Sequence, residues 1–326
     1  EVTNNSITIT VSATNGTNPI SNYYYIINDG VPISTTSNTH TFSGLDRKTT
    51  YTIKVYVVDT EDYSSNISTL SVETDNATLL AEYITNTVYL DDGINGLYYH
   101  DGQGSYTNAD QEAGDNSYRY SGANPNNYVC FGSDDTTCPN DNLYRIIGVF
   151  DKNVKIIKNT NYGNYIYDSE RSYSLLSILN STFLNTLDII WQEKIYTQNF
   201  NVVARLDFFM STVKTSYDLE YGSTSYKIGL MYPSDYGYAA SPNYWQTKLN
   251  DYDNAINSNW LYTGLNEWTI STMAGLAQNA GYIFSSGGVA NTLKTTEYAV
   301  RPVFYLNSDV TYVSGTGTQS DPFRIA

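Results

Sequence analysis

Two cysteines separated by seven residues and followed at once by an apolar run constrain this chain more than any other feature. The stretch NYVCFGSDDTTCPNDNLYRIIGVF, 127–150, holds the sequence's two cysteines, Cys130 and Cys138, around a loop of polar turn formers. If the thiols are oxidised, the bridge removes freedom from the unfolded chain worth about 2–3 kcal/mol. It also pins the entry to a core strand, LYRIIGVF. Two unpaired buried cysteines are the alternative. A reactive pair is disfavoured, because the spacing lacks the tightness of redox motifs and the acidic neighbours raise a thiol pKa.

The charge balance excludes several partners. Seventeen Lys and Arg stand against 33 Asp and Glu, a formal net charge of -16, which repels phosphate backbones and anionic headgroups alike. Nucleic acid is therefore not an expected partner. No apolar run is long enough to cross a bilayer, so no transmembrane segment is expected. The chain opens on Glu1 without a recognisable signal peptide, and reads as a mature or trimmed ectodomain. Thirty-three tyrosines, few lysines and a disulfide candidate fit an extracellular protein, secreted or on a cell surface. At 326 residues with 40% apolar content, two or three domains with ordinary cores are expected.

From Ser6 to Thr74 short alternating runs, SITITVSA, NYYYIINDG, THTFSGL, TYTIKVYVVD and ISTLSVET, are separated by turn residues, as in a small all-β sandwich. LDRKTTYTIKVYV, 45–57, sets Leu45 six residues before Tyr51 at the head of an alternating strand. Residues 1–75 thereby resemble a fibronectin type III or bacterial immunoglobulin-like module. The resemblance implies a structural Tyr51 hydrogen-bonded to backbone just upstream, Ile53, Val55 and Val57 facing the core, and a spacer role. The usual tryptophan of the second strand is absent, so Tyr24 or Ile26 is expected to fill its volume.

ATLLAEYITNTV, 77–88, places Leu80, Ile84 and Val88 four apart beside Leu79 and Tyr83. This predicts a short helix, capped by Asp75 or Asn76, that docks as a connector over 76–94. The following stretch to Asn127 is rich in Gly, Asn and Asp and is expected to be loop. Its acids, Asp91, Asp92, Asp101, Asp110, Glu112 and Asp115, would suit calcium, but no window meets the D-x-[DN]-x-[DN]-G pattern, so no cofactor is assigned. LYRIIGVF and VKIIK flank a turn at 151–153 and predict a hairpin. Leu175, Leu179, Phe183 and Leu187 predict a helix with one buried face that ends at Trp191. Short mixed strands are expected over 194–213, and a strand in YKIGLMY, 226–232, running into a loop SDYGYAASPNYW. Pro302 marks an edge or a bulge.

NYVCFG, LYRIIGVF, GLMYPSDYGYAAS, EWTIS and VRPVFYLNSDVTYVSGTGTQSDPFRI together resemble a domain of unknown function frequent in surface proteins of gut-dwelling Gram-positive bacteria. The resemblance covers about residues 95–326. It implies an α+β, C-type-lectin-like fold with a mostly antiparallel sheet and long loops that hold a ligand face. Trp268 and Arg301 occupy the family's strand tryptophan and arginine positions. Thr272 stands where several relatives carry a second arginine. The chain is thus expected to be multidomain, a sandwich followed by this α+β head.

Catalytic chemistry is poorly provided for. His40 and His100 lie in different segments, without local partners for a triad or a zinc site. The cysteine pair that formylglycine-generating enzymes of similar fold need late in the chain is missing, as are phosphate-binding and dinucleotide fingerprints. A glycoside hydrolase needs only two carboxylates; Glu267 as acid with Asp235, Asp251 or Asp253 is the formal option. The expected class is not an enzyme. The positive signal is the aromatic content of the C-terminal half, with Tyr232 and Tyr252 beside the named candidates, which suits stacking on sugars or rigid protein contact.

Candidate ligand-binding residues are Tyr236, Tyr238, Tyr244, Trp245, Tyr262 and Arg301, on loops over 234–245 and 272–296. Arg301 could instead pair with an internal acid, and Trp260 and Trp268 are expected in the core as structural residues. The leading expectation is an adhesin-like binding protein for a glycan or for a host or bacterial surface protein. The alternative is a pilin-like or envelope subunit whose loops pack against a second copy or filament neighbour.

Overall fold

Alternation in the first 75 residues builds two small sheets. The computed structural model describes residues 1–103, 109–168, 174–200, 202, 204–220 and 224–326, which fall into two compact units, Glu1–Thr78 and Leu79–Ala326. In the first, strands β1 (Ser6–Thr10), β2 (Ile20–Ile27), β3 (Ile33–Thr35), β4 (Thr39–Ser43), β5 (Thr50–Asp59) and β6 (Ser68–Glu73) pair as β1-β4 and as β3-β2-β5-β6. These two sheets are consistent with the small β-sandwich expected over this stretch. Asp46 N–H donates to the Tyr51 hydroxyl at 2.8 Å. The small core gathers Ile7, Tyr25, Phe42, Tyr51 and Ile53.

The second strand corrects one reading by a single residue. Tyr25, not Tyr24 or Ile26, is the buried residue there and joins the small core. Its phase follows from pairing with Val55, whereas Tyr24 pairs with Tyr56 on the opposite face and stacks on it at 4.6 Å.

The helical segment after Thr78 belongs to the second unit. Helix α1 (Leu80–Tyr83) passes into a π turn over Ile84–Val88, and Leu80 and Ile84 are fully buried. Leu79 precedes the helix without a side-chain cap, so the expected Asp75 or Asn76 cap is not used. A π turn also follows α2 (Leu175–Ile178), over Leu179–Phe183. In both places apolar residues recur every four positions, slightly more than an α-helical turn. The wider turn keeps such residues on one face. After Thr186 the chain becomes extended at Leu187, which is only half-buried, and Trp191 is buried from a separate helix, α3 (Ile189–Glu193).

Two sheets organise the second unit. One contains β7 (Leu97–His100), β8 (Ser117–Tyr120), β9 (Tyr128–Cys130), β10 (Leu143–Phe150) and β11 (Asn153–Lys158), with β13 (Ile195–Tyr196) and β21 (Val303–Leu306). Its pairings are antiparallel, in the order β13-β21-β11-β10-β8-β7, with β9 against the start of β10. The expected β10–β11 hairpin is present. The stretch 91–127, expected as loop, supplies β7 and β8; its part at 104–108 lies outside the described residues. Gly148 lets β8 approach at the β10 bulge, since a Cβ there would stand 2.2 Å from the Tyr118 carbonyl oxygen.

The other sheet runs β12 (Gly163–Ile166), β20 (Glu297–Val300), β17 (Glu267–Met273), β18 (Asn279–Ile283) and β19 (Val289–Leu293), with β15 (Ala204–Arg205) beside β17. The expected ligand loop over 272–296 is therefore largely the β18–β19 hairpin. Arg301 and Pro302 separate β20 from β21, so the proline sits where the chain leaves one ladder for the other. Short pairs β14 (Gln198–Phe200) with β16 (Thr224–Tyr226), and β22 (Tyr312–Ser314) with β23 (Arg324–Ile325), complete the strands among the described residues. The mixed strands expected over 194–213 are seen in part; residues 201 and 203 lie outside the described ones. Two further helices, α4 (Val213–Asp218) and α5 (Pro233–Ala239), pack together.

The staple closes as a disulfide, with Cys130 and Cys138 joined and their Cα atoms 5.8 Å apart. Among the described residues no helix is long and apolar enough to cross a membrane.

Candidate functional site

The segment expected as an aromatic loop is a buried helix. Pro233 opens α5 at a position where no N–H is required, and Asp235 Oδ2 accepts the Tyr232 N–H at 2.8 Å. Gly237 is a packing residue: a Cβ there would stand 2.5 Å from Val213 Cγ2 of α4. YKIGLMY before it is half-buried at Tyr226 and Lys227 and buried over 228–232, but only Tyr226 lies in a named strand and Gly229 makes a single bridge to Val303.

Most proposed contact residues consequently face inward. Tyr236, Tyr238 and Trp245 are at most 1% exposed. Their polar atoms donate to the backbone oxygens of Gly287, Gln111 and Ala240, and burial raises both tyrosine pKa values. Tyr244 and Tyr262 are half-buried, and the Tyr262 hydroxyl donates to the Ser285 oxygen at 2.6 Å. Arg301 is committed internally, its Nε donating to Glu267 Oε1 at 2.7 Å and its Nη2 to the Leu261 oxygen at 2.8 Å. These six residues therefore do not form a common exposed face. Trp260 and Trp268 are in the core, donating to the oxygens of Tyr120 and Tyr165.

Glu267, the acid of the formal glycosidase option, is 2% exposed in that ion pair. Asp235 is buried, whereas Asp251 and Asp253 are exposed. The expected carboxylate pair is thus divided between interior and surface or locked to cations. The loop acids are divided too. Asp115 pairs with Arg119, and Glu112 is buried with Oε2 accepting the Gly102 N–H at 2.9 Å.

A charged cavity of about 190 Å³ that local motifs do not reveal lies among β8, β11, β14, α4, α5 and β21. Arg119 meets Asp115 at 2.7 Å, and its guanidinium lies over the rings of Phe150, Tyr217 and Tyr238. Burial opposes ionisation of Asp115, but Arg119 and hydrogen bonds from Ser117 and Tyr217 overcome it and hold its pKa below the usual carboxylate range. Lys155 Nζ lies 2.6 Å from Asp235 Oδ2, both side chains being 1% exposed. Glu220 accepts from the Ser234 hydroxyl and N–H, with Arg205 Nη1 at 3.8 Å. Burial pushes its pKa up to about 7, and the Asp235 charge adds to this while Arg205 opposes it. The one visible signal was Lys155 itself, a charge inside the apolar strand VKIIK.

A second hollow, of about 330 Å³, has opposite chemistry. Asn95, Tyr98, Ser121, Asn124 and Asn126 line it together with glycines, and no charged side chain does. Its first wall is a turn with Gly93 at φ 80°, Asn95 at φ 60° and Gly96 at φ 70°. At Gly96 a Cβ would also stand 2.8 Å from Pro125 Cβ, so glycine is required for both conformation and approach. Asn95 Nδ2 donates to the Val88 oxygen at 2.7 Å, which leaves its side-chain oxygen as the group it can offer. Across the hollow, Asn124 Oδ1 accepts from buried Arg145 at 3.4 Å, leaving Nδ2. An acceptor and a donor thus line one uncharged groove, both on exposed side chains.

No family model matches the chain, and no curated protein matches it. Among solved structures, the chitinase ChiA74 from Bacillus thuringiensis is 26% identical over 24% of this chain and 13% of its own, with a TM-score of 0.22. Fibronectin(III)-like modules of CbhA from Clostridium thermocellum are 19% identical over 23% of this chain and 82% of theirs, with a TM-score of 0.20. Alignments of this extent add nothing to the topology described above.

Proposed function

We propose that the chain is a non-catalytic, extracellular, adhesin-like protein whose C-type-lectin-like larger unit binds a neutral glycan, with the fibronectin type III-like sandwich as spacer. The observation that carries this reading is the groove between Asn95 and Asn124. It pairs an acceptor with a donor, includes the aromatic side chain of Tyr98 in its lining, and is lined by no charged side chain. A sugar hydroxyl both donates and accepts, and the apolar face of a pyranose ring needs an aromatic surface. The disulfide is in keeping with an oxidising location. The pilin-like alternative loses its motive, because Tyr236, Tyr238 and Trp245 are used inside the unit rather than held for a neighbour.

Titrating the whole chain with neutral and anionic oligosaccharides, free and arrayed, tests the proposal. Neutral ligands should bind, and Asn124→Ala should weaken binding about tenfold, the worth of one hydrogen bond. No binding, or binding indifferent to Asn95→Ala, Tyr98→Ala and Asn124→Ala, would refute it.

A further inference from the structure

The charged cavity holds an arrangement that ligand binding does not require. Lys155 lies on β11, a strand with neighbours on both sides, and its Nζ sits among the rings of Tyr232 at 4.8 Å, Tyr305 at 5.3 Å and Phe150 at 5.4 Å. An ammonium carries three N–H donors. Among the described residues Asp235 is the acceptor Lys155 reaches, at 2.6 Å. The same Oδ2 already accepts the Tyr232 N–H. An ion pair so poorly hydrated recovers little of its desolvation cost, whereas an amide nitrogen would have one N–H to satisfy. The carboxyl carbon lies one bond beyond the contacted oxygen, and such attacks begin from a separation of about 3–3.5 Å.

A third ionisable group shares the cavity. Glu220 lines the same cavity and is anchored by Ser234, the residue preceding Asp235 on α5. Arg205 and Ser234 fix its orientation, and the surrounding space provides an exit for water.

We propose that Lys155 and Asp235 condense spontaneously into an isopeptide cross-link between β11 and α5, with Glu220 as the proton-transferring group. Proton transfer within the ion pair first gives the neutral amine and carboxylic acid. The Nζ lone pair then attacks Cγ of Asp235, forming the N–C bond. Glu220 protonates the departing hydroxyl and recovers a proton from the nitrogen. The C–OH bond breaks, one water leaves, and Glu220 ends as it began. The net change from ammonium and carboxylate to amide and water balances in atoms and charge and needs no oxidant. Glu220, with a pKa raised to about 7, populates both its acid and its base form at neutral pH and so can give and take the proton.

Intact-mass and peptide mass spectrometry of the whole chain, reduced, denatured and previously held at neutral pH, decides the matter. The expected chain is lighter than its reduced sequence by one water, with the Lys155 and Asp235 peptides joined after proteolysis. Lys155→Arg and Asp235→Ala should restore the full mass. Glu220→Gln should do so with both reacting residues present. A wild-type chain of full mass, or a water loss with the two peptides separate, overturns the cross-link, and this reading does not depend on any variant folding. A Glu220→Gln chain that links as fast as wild type overturns the role of Glu220.

Discussion

The groove at Asn95 and Asn124 and the cavity at Lys155 and Asp235 place polar chemistry in the same unit under opposite physical rules. In the groove, positive-φ backbone and exposed carboxamides hold uncharged groups where water already satisfies them, so presenting them costs little. In the cavity, two cations and three acids are enclosed by aromatic rings, and each depends on its partners to remain there. The first kind of site can lose a side chain and still fold, whereas the second cannot lose one without leaving a buried charge uncompensated.

Substitutions at the two places should therefore separate stability from binding. The largest effect is expected from Lys155→Ala, which strands buried Asp235. Denaturant titration should show a loss of about 3–5 kcal/mol for removing one partner of such a pair, and a greater loss where the cross-link has formed. Equal stability of this variant and wild type would erase the contrast.

The pH dependence comes next. Glu220 ionises near its ordinary value of 4.5 when unfolded but near 7 when folded, so the folded state binds more protons between these values. Its contribution is full below about pH 4.5 and is lost as pH rises through 7, by up to about 3 kcal/mol. Its chief cause, burial, persists whichever state the neighbouring pair adopts. Glu220→Gln should flatten this slope in melting curves taken across the range. Asp115, with its pKa lowered, contributes in the opposite sense, adding stability above its ordinary value of 3.8 that is lost in acid.

Opening the Cys130–Cys138 bridge with paired serine substitutions should cost about 2.5 kcal/mol, the loop-entropy value for so short a closure. A cost near zero would show that the β9–β10 pairing alone holds this segment. Smallest of all, Asn95→Ala and Asn124→Ala should stay within about 0.5 kcal/mol of wild type in stability while glycan affinity falls. A large destabilisation would show that the groove residues support the fold rather than a ligand.

Legibility in the sequence followed the range of the interactions involved. The sandwich strands, the β10–β11 hairpin and the apolar face of 175–183 depend on neighbours within a few residues, so their periodicity was visible. The phase of the second strand was missed by one position, since NYYYII carries aromatic or apolar side chains at successive positions and either face looks like core. The candidate site was read least well. Pro, Ser and Gly in PSDYGYAAS suggested a loop, but they serve as a helix start, an anchor for Glu220 and a close packing point.

Local chemistry alone determined the strand-rich character, the stapled entry to β10 and an acidic surface unsuited to polyanions, because alternation, cysteine spacing and charge count are additive along the chain. Which tyrosines face water, and which acids meet Lys155 and Arg119, was decided by the tertiary structure. Tyrosine is amphipathic enough to serve either place, and Asp115, Glu220 and Asp235 come from segments far apart whose distances only the folded sheets set.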